Sequence, residues 1–322
     1  MNMKSFHTPV MLKEVLECLR PKPGGYYLDA TLGGAGYTIE IAKRVGEKGR
    51  VLAIDLDELA INQAKLLISN LKLSNIILAH DNFKNLSEIV KEKFKKKQVF
   101  SGIVFDLGLS SDQLEDRNRG FSFQLDAPLN MAFGQPAGEK AEIETTEYIV
   151  NKYRQAELIG IIREYGEEKN AARIASQIVK FRNLKPIKTT GQLLEIIKKA
   201  GPTNYQGGKI HPATKTFQAL RIATNHELNN LAVALPQATS LLAPGGKIII
   251  ISYHSLEDRL VKIFLKKESK NCLCPPELPI CACGHKASLK IINKKVMTPS
   301  QEEIKNNRRA RSAKMRAAEK IL

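Results

Sequence analysis

The sequence predicts a doubly wound α/β sheet interrupted by an inserted all-helical domain, and three observations carry that expectation. Residues 27–57, YLDATLGGAGYTIEIAKRVGEKGRVLAIDLD, read as apolar strand, glycine turn, amphipathic helix and second apolar strand ending in acid. The same alternation continues to residue 111 and then gives way to loop and helical periodicity. Sheet signal resumes only at Gly246-Lys247-Ile248-Ile249-Ile250-Ile251-Ser252.

The first apolar run ends at Asp29, and Gly33, Gly34 and Gly36 let the turn approach a ligand closely before a helix from Thr38 to Val45. The run Arg50 to Ile54 delivers Asp55 to the carboxyl end of its strand. A helix follows over Glu58 to Asn70, then a short strand over Ile76 to Ala79 leading into His80-Asp81-Asn82-Phe83, and a helix over Leu86 to Phe94. Strand Gly102 to Phe105 ends at Asp106-Leu107-Gly108-Leu109-Ser110-Ser111. Three successive strands thus bring Asp55, Asp81 or Phe83, and Asp106 to one edge of one sheet, where open α/β sheets bind their ligands.

Residues 112–138 are rich in Gly, Pro, Asn and Asp without a clear period and read as a long ordered loop, a length usually reserved for function. Amphipathic stretches Glu144 to Lys152, Gln155 to Tyr165, Lys169 to Asn183 and Thr190 to Ala200 form the helical insertion, and a helix over Lys215 to Leu242 leads back to the sheet. The expected division is 1–111 and 211–322 for a discontinuous Rossmann-like domain ending in a basic C-terminal tail, with 112–210 as the inserted substrate-recognition domain.

Gly33 and Asp55 stand 22 residues apart, the spacing at which a strand-end carboxylate accepts hydrogen bonds from ribose hydroxyls. The dinucleotide fingerprint G-x-G-x-x-G fits this turn in no register. Asp29 before the turn would repel a pyrophosphate but suits the cationic amino group of an amino-acid tail, and S-adenosyl-L-methionine carries both that tail and a ribose. The alternative is a glycine turn that joins two buried elements and holds no ligand.

A chain of 322 residues can bury a sizeable core, and its formal charge of +17 with a pI near 9.6 favours encounter with polyanions, so nucleic acid is the expected partner. Basic residues gather in Lys84 to Lys97, where six lysines face two glutamates, and in the last 22 residues, where seven basic residues face three acidic ones. The alternative for each run is a solvated helix face. No apolar run long enough to cross a membrane is present, and MNMKSFHTPVMLKE lacks a signal-peptide core, so a cytoplasmic protein is expected. Cys18 stands alone, while Cys272-x-Cys274 and Cys281-x-Cys283 cluster late. Four thiolates suit tetrahedral zinc, yet paired ligands are usually separated by two residues or more, and a loop of reduced thiols remains the alternative. No catalytic metal is expected, and zinc at the cysteines would be architectural.

Five blocks carry a resemblance to a known family: Asp106 to Leu114, Arg119-Gly120-Phe121-Ser122-Phe123, His211 to Ile222, Ser252-Tyr253-His254-Ser255-Leu256-Glu257-Asp258-Arg259 and Arg309 to Lys314. In this order, and with Phe6-His7-Thr8-Pro9-Val10 ahead of them, they resemble the signature blocks of the bacterial MraW/RsmH family over nearly the whole chain. The resemblance implies S-adenosyl-L-methionine-dependent methylation of the exocyclic N4 amine of a cytosine in the decoding region of small-subunit (16S) ribosomal RNA. It also implies cofactor contacts at Gly33, Gly34, Ala35, Gly36, Tyr37, Asp55, Phe83, Asp106 and Gln113. The family turn commonly reads glycine-glycine-histidine where Ala35-Gly36-Tyr37 stands here, which leaves contact at this turn to the backbone, and an acid is common where Asn130 stands.

A cytosine N4 amine is a poor nucleophile, so catalysis must align it with the methyl group and stabilise the positive charge that grows on it. Asp106, at the end of its strand, is the expected catalytic residue, acting directly or by orienting the cofactor, with Ser110 and Ser111 as secondary acceptors. Arg119, Phe121 and Phe123 form a candidate platform for a flipped base, core packing being the alternative. His211, Lys215, Arg221, His254, Arg259, Arg309 and Arg311 are candidate phosphate contacts, though His211 before Pro212 can equally shape a turn. No compact RNA-reading module is present, so the expected substrate is the assembled small subunit, not DNA. Competing readings are a methyltransferase of DNA or protein, which gives no reason for the blocks from His211 to Arg259, and a noncatalytic RNA-binding or ribosome assembly factor on a degenerate methyltransferase fold.

Overall fold

The structure, a computed structural model, describes residues 9–94, 98–134, 144–201, 211–275, 278 and 280–321. These residues divide into two compact units. One holds the chain up to Gly108 and from Leu228 onward, and the other holds the described residues from Leu109 to Glu227.

The first unit is built on seven strands, β1 (Tyr26–Asp29), β2 (Arg50–Asp55), β3 (Ile76–His80), β4 (Phe100–Leu107), β5 (Leu242–Ser252), β6 (Leu289–Ile291) and β7 (Lys314–Lys320). They form one sheet in the order β3-β2-β1-β4-β5-β7-β6. β1 to β5 are mutually parallel, and β7 runs antiparallel between β5 and β6. Strand order reverses between β1 and β4, which makes their carboxyl ends the switch-point crevice. Both faces of the sheet are covered, so its strands are apolar nearly throughout. Leu28, Leu52, Phe105, Ile248 and Ile250 pack on one face, and Tyr27, Val51, Val104, Ile249 and Ile251 on the other. Each such buried side chain contributes roughly 1.5–3 kcal/mol.

The second unit packs helices Thr146–Lys152, Gln155–Gly166, Ala171–Arg182, Thr190–Ala200 and Pro212–Asn225 around Ile149, Leu158, Ile162, Ile174, Leu193 and Phe217. The loop ahead of them is ordered as far as it is described. Phe121, Leu129 and Met131 are buried in the helical core, and Met131 donates its N–H to the Arg119 carbonyl at 2.8 Å. Asn130 shapes the chain there by accepting the Ala132 N–H at 2.9 Å, beside Met131 at φ 56.

Three expectations need correction. The inserted unit runs from Leu109 to Glu227 instead of 112–210, because helix Pro212–Asn225 buries Ala213, Phe217 and Leu220 in the helical core. The single helix expected over Lys215 to Leu242 is two, Pro212–Asn225 and Glu227–Leu241, separated by His226 in the left-handed conformation at φ 50. The last residues are not a basic tail: Lys314–Lys320 pairs with β5 and β6 in the sheet, turning Met315 and Ala317 to one core and Ala318 to the other. Arg316 is consumed there in a fork to Asp258, at 2.6 and 3.2 Å. In the other basic run, helix Leu86–Lys93 buries Leu86, Ile89 and Val90 and leaves Lys91 and Lys93 to solvent, while Lys95 to Lys97 lie outside the described residues.

Candidate active site

The site is assembled at the carboxyl ends of β1, β2 and β4. β1 delivers Asp29, fully buried, whose carboxylate accepts the Thr38 hydroxyl at 2.7 Å and the Thr31 N–H at 3.2 Å. The chain then folds back over the end of β2, with the Leu32 N–H on the Ile54 carbonyl at 2.8 Å and the Ala35 N–H on the Leu32 carbonyl at 2.7 Å. This path needs left-handed backbone at Gly33 (φ 47) and Ala35 (φ 62). Glycine takes that conformation freely, whereas Ala35 takes it at a cost of about 1–2 kcal/mol. Gly36 serves a different need: a Cβ there would stand 2.1 Å from the Pro9 ring, so the N-terminal segment can cross only over a bare backbone.

Asp55, half-buried at the end of β2, holds the turn by accepting the Gly33 N–H at 2.8 Å on one oxygen and the Asp57 N–H at 2.8 Å on the other. β4 delivers Asp106, whose N–H donates to the Thr31 hydroxyl at 2.6 Å and whose Oδ1 accepts the Tyr253 hydroxyl at 2.8 Å. Tyr253 follows β5 directly. Its backbone N–H is fixed by the buried Glu257 carboxylate at 2.9 Å, and a Cβ on Gly108 would lie 2.7 Å from its ring. Beyond β3, Phe83 opens a short 3-10 turn with its half-buried ring edge-on to Phe105 at 5.8 Å.

Burial raises all three carboxylates. Asp29 is pushed up to about 7, opposed by its bonds from Thr38 and Thr31 and reinforced by repulsion from Asp106 and Asp55. Asp106 is pushed up to about 7, opposed by the Tyr253 hydroxyl, and Asp55 to about 6, opposed by the Asp57 and Gly33 amides. The phenol of Tyr253 is driven well above its ordinary range by burial and by Asp106, so it remains a neutral donor. This crowding of acids suits a cation: a ligand bearing sulfonium and ammonium charge would relieve it and ionise them. Among the described residues nothing lies within 4 Å of a Cβ placed on Gly34, which leaves backbone at this turn for such a ligand. The residues present therefore fit S-adenosyl-L-methionine: a strand-end carboxylate at Asp55 has the chemistry for ribose hydroxyls, the Phe83 ring that for an adenine, and the buried acids Asp29 and Asp106 that for a cationic methionine end.

The other expected residues are distributed as follows. Tyr37 is buried, and its hydroxyl donates to the Val10 carbonyl, so its ring packs in the core below the turn. Gln113 belongs to the second unit, where it forms a capping box with Ser110: the Ser110 N–H donates to its side chain at 3.0 Å, and its own N–H donates to the Ser110 hydroxyl at 3.1 Å. Ser110 is thus a helix cap. Phe121 is buried against Phe133, Phe123 stacks on His211 at 4.9 Å, and the Arg119 guanidinium donates to the Ala132 and Phe133 carbonyls, which is core packing. His211 and His254 cap helices, and Arg221 is locked by two 2.8 Å bonds to Glu227. Arg309 and Arg311 are exposed on a 3-10 turn. Sequence reasoning missed Thr31, Thr38, Tyr253 and Glu257. Tyr253 was within reach, because β5 pairs with β4 and the residue after Ser252 must face the end of β4.

A mostly parallel sheet whose switch point gathers a glycine turn, a strand-end carboxylate bonded to it and further buried carboxylates has the make-up of an S-adenosylmethionine-dependent methyltransferase. Comparison with known proteins narrows the class. The chain belongs to the MraW methylase family, whose profile matches residues 4–321. It is 48% identical over 316 residues to the ribosomal RNA small subunit methyltransferase H of Halothermothrix orenii, covering 98% of this chain and 99% of that protein. The like-named protein of Thermomicrobium roseum is 45% identical over 319 residues, covering 99% and 95%. Among solved structures, an rRNA methylase from Streptococcus thermophilus aligns over 97% of this chain and 94% of its own at 12% identity, with a TM-score of 0.41, a likeness too distant to carry weight.

Proposed function

We propose that this enzyme transfers a methyl group from S-adenosyl-L-methionine to the exocyclic N4 amine of a cytosine in the decoding region of 16S ribosomal RNA, in the cytoplasm, with the assembled small subunit as substrate. Family membership supports the reaction, and one structural observation supports the mechanism: Asp106 stands near the carboxyl end of β4, the strand paired with β1, with one oxygen fixed by Tyr253.

When bound, the cofactor supplies an electrophilic methyl on a sulfonium. Asp106 accepts an N4–H on its second oxygen, which turns the amine toward the methyl and draws density onto nitrogen. As the N–C bond forms and the methyl–sulfur bond breaks to leave a neutral thioether, the carboxylate would stabilise the ammonium charge and take its proton. Tyr253, held neutral, occupies Oδ1 and would leave Oδ2 to the substrate amine. Asp55 and Gly33, bonded to each other, would hold the ribose end, and Asp29, tied to Thr38 and Thr31, keeps the turn in register with β1.

The strongly basic chain favours RNA, and the absence of an RNP-type sequence favours recognition of subunit shape. A noncatalytic role on a degenerate fold is disfavoured by the intact grip of Asp55 on both amides despite Ala35 and Tyr37. The test is a comparison of initial rates on unmodified small subunits and on protein-free 16S RNA. Faster methylation of subunits supports this reading. Equal rates would remove the subunit from it, and label in a nucleoside other than cytidine would remove the reaction.

A further inference from the structure

Between helix Ser255–Glu268 and β6 the chain makes an excursion with no helix or strand among its described residues, and three of its four cysteines, Cys272, Cys281 and Cys283, are exposed. It has little apolar material of its own: Leu278 is 50% exposed and Ile280 is 80% exposed. A stretch of this kind has no core to hold it and needs another source of order.

The four sulfurs of Cys272, Cys274, Cys281 and Cys283 converge on one point, all within 4.8 Å of one another. Cys272 Sγ lies 3.4 Å from Cys281 Sγ and 3.8 Å from Cys283 Sγ, and these last two lie 3.6 Å apart. Four sulfurs at about 2.3 Å from one zinc ion stand about 3.8 Å from each other. The measured edges approach that tetrahedron and are far longer than a disulfide, whose sulfurs sit at about 2.05 Å. The backbone supplies the donors that thiolates require. The Leu273 N–H reaches Cys283 Sγ at 3.3 Å, the Ala282 N–H reaches Cys274 Sγ at 3.3 Å, and the Cys274 N–H reaches Cys272 Sγ at 3.4 Å. Each Cys-x-Cys hook thus gives an N–H from its middle residue to a sulfur of the other.

We propose that these four cysteines bind one structural zinc ion. One-residue spacing is unusual for paired ligands, but the two hooks face each other, so the set closes without the wider spacing. His285, the other potential ligand nearby, is engaged with the Lys267 carbonyl at 3.1 Å, leaving an all-sulfur set with no open position for catalysis. Binding converts four thiols to thiolates with release of four protons, and the dianionic centre is offset by Lys266, Lys267, Lys270 and Lys286, which flank the hooks in sequence. The stem is already closed below the ion, where Ser288 bonds the Glu268 backbone and carboxylate at 2.9 and 2.7 Å. The ion would pin the excursion that leads into β6 and present Leu278 and Ile280 on a rigid support. None of this depends on the methyl-transfer reading.

The test uses the full chain, prepared with zinc and without chelator, and reads metal content by mass spectrometry together with zinc release into a chromogenic chelator as thiols are titrated with a mercurial. The expected result is about one zinc ion per chain, released in step with four thiols. It should be retained in Cys18→Ser and lost in Cys281→Ser/Cys283→Ser. Cobalt reconstitution of the native chain provides a readout that needs no variant: tetrahedral ligand-field bands with strong thiolate charge transfer are expected. A metal-free chain whose thiols all titrate freely, an intact disulfide among the four by mass, or an octahedral cobalt spectrum would each overturn the proposal.

Discussion

Removal of one hydroxyl, Tyr253→Phe, isolates what holds Asp106 ready. That hydroxyl donates to Oδ1 at 2.8 Å and lowers a carboxylate that burial otherwise raises. A hydrogen bond to a charged group contributes about 1.5–3 kcal/mol, and at 1.36 kcal/mol per unit its loss raises the Asp106 midpoint by about 1–2 units. From about 7, the midpoint moves to roughly 8–9, so the ionised fraction at pH 7 falls from about a half to between a tenth and a hundredth. kcat/KM for the cofactor, which reports the free enzyme, should therefore fall about 5- to 50-fold at pH 7 and recover to within about two-fold of the native value at pH 9. The assay is the pH profile of kcat/KM for both proteins on the same RNA substrate. A profile whose midpoint does not move, whether activity is kept or lost equally at every pH, would refute this role for Tyr253.

Three further outcomes follow from the same geometry. Asp55→Asn keeps the size of the side chain but turns an NH2 group toward either the Gly33 or the Asp57 amide, and S-adenosylmethionine affinity by calorimetry should drop about 10- to 100-fold, one charged hydrogen bond being lost. Cofactor binding should release protons: Asp29, Asp106 and Asp55 are raised to about 7, 7 and 6, a cation favours their ionised forms, and affinity should therefore rise with pH from about 5 to 8. Calorimetry in buffers of different ionisation enthalpy measures that release, and a heat independent of buffer would contradict it. Gly36→Ala places a Cβ 2.1 Å from the Pro9 ring, so thermal unfolding should show a loss of about 1–3 kcal/mol from the displaced N-terminal segment.

The sheet was legible because its strands are buried on both faces. Runs such as Ile248 to Ile251 fit a parallel sheet covered on both faces, and β1, β2 and β4 carry the acids Asp29, Asp55 and Asp106 at their carboxyl ends. The glycine turn and Asp55 were legible because their spacing reflects a direct contact, the 2.8 Å bond between them. β7 escaped because MRAAEK carries too little apolar weight to announce a strand, and its pairing is fixed by β5 and by the Arg316 fork to Asp258 instead. The break at His226 escaped because a left-handed residue between two helical stretches leaves no periodic signature. Phe121, Phe123 and Arg119 read equally as a base platform or as packing, and the structure buries Phe121 against Phe133 while Phe123 stays half-buried, stacked on His211. The part of Tyr253 follows only once β5 is paired with β4, which brings it to Asp106 across 147 residues of sequence.

The most direct test of the central claim is nucleoside mass analysis of 16S RNA from unmodified small subunits after reaction with S-adenosylmethionine, using the native enzyme and Asp106→Ala, with cofactor binding measured for both. N4-methylcytidine formed by the native enzyme and lost in Asp106→Ala, which still binds cofactor, is the result expected. N4-methylcytidine formed at an undiminished rate by Asp106→Ala would contradict the assignment of the acceptor to the end of β4.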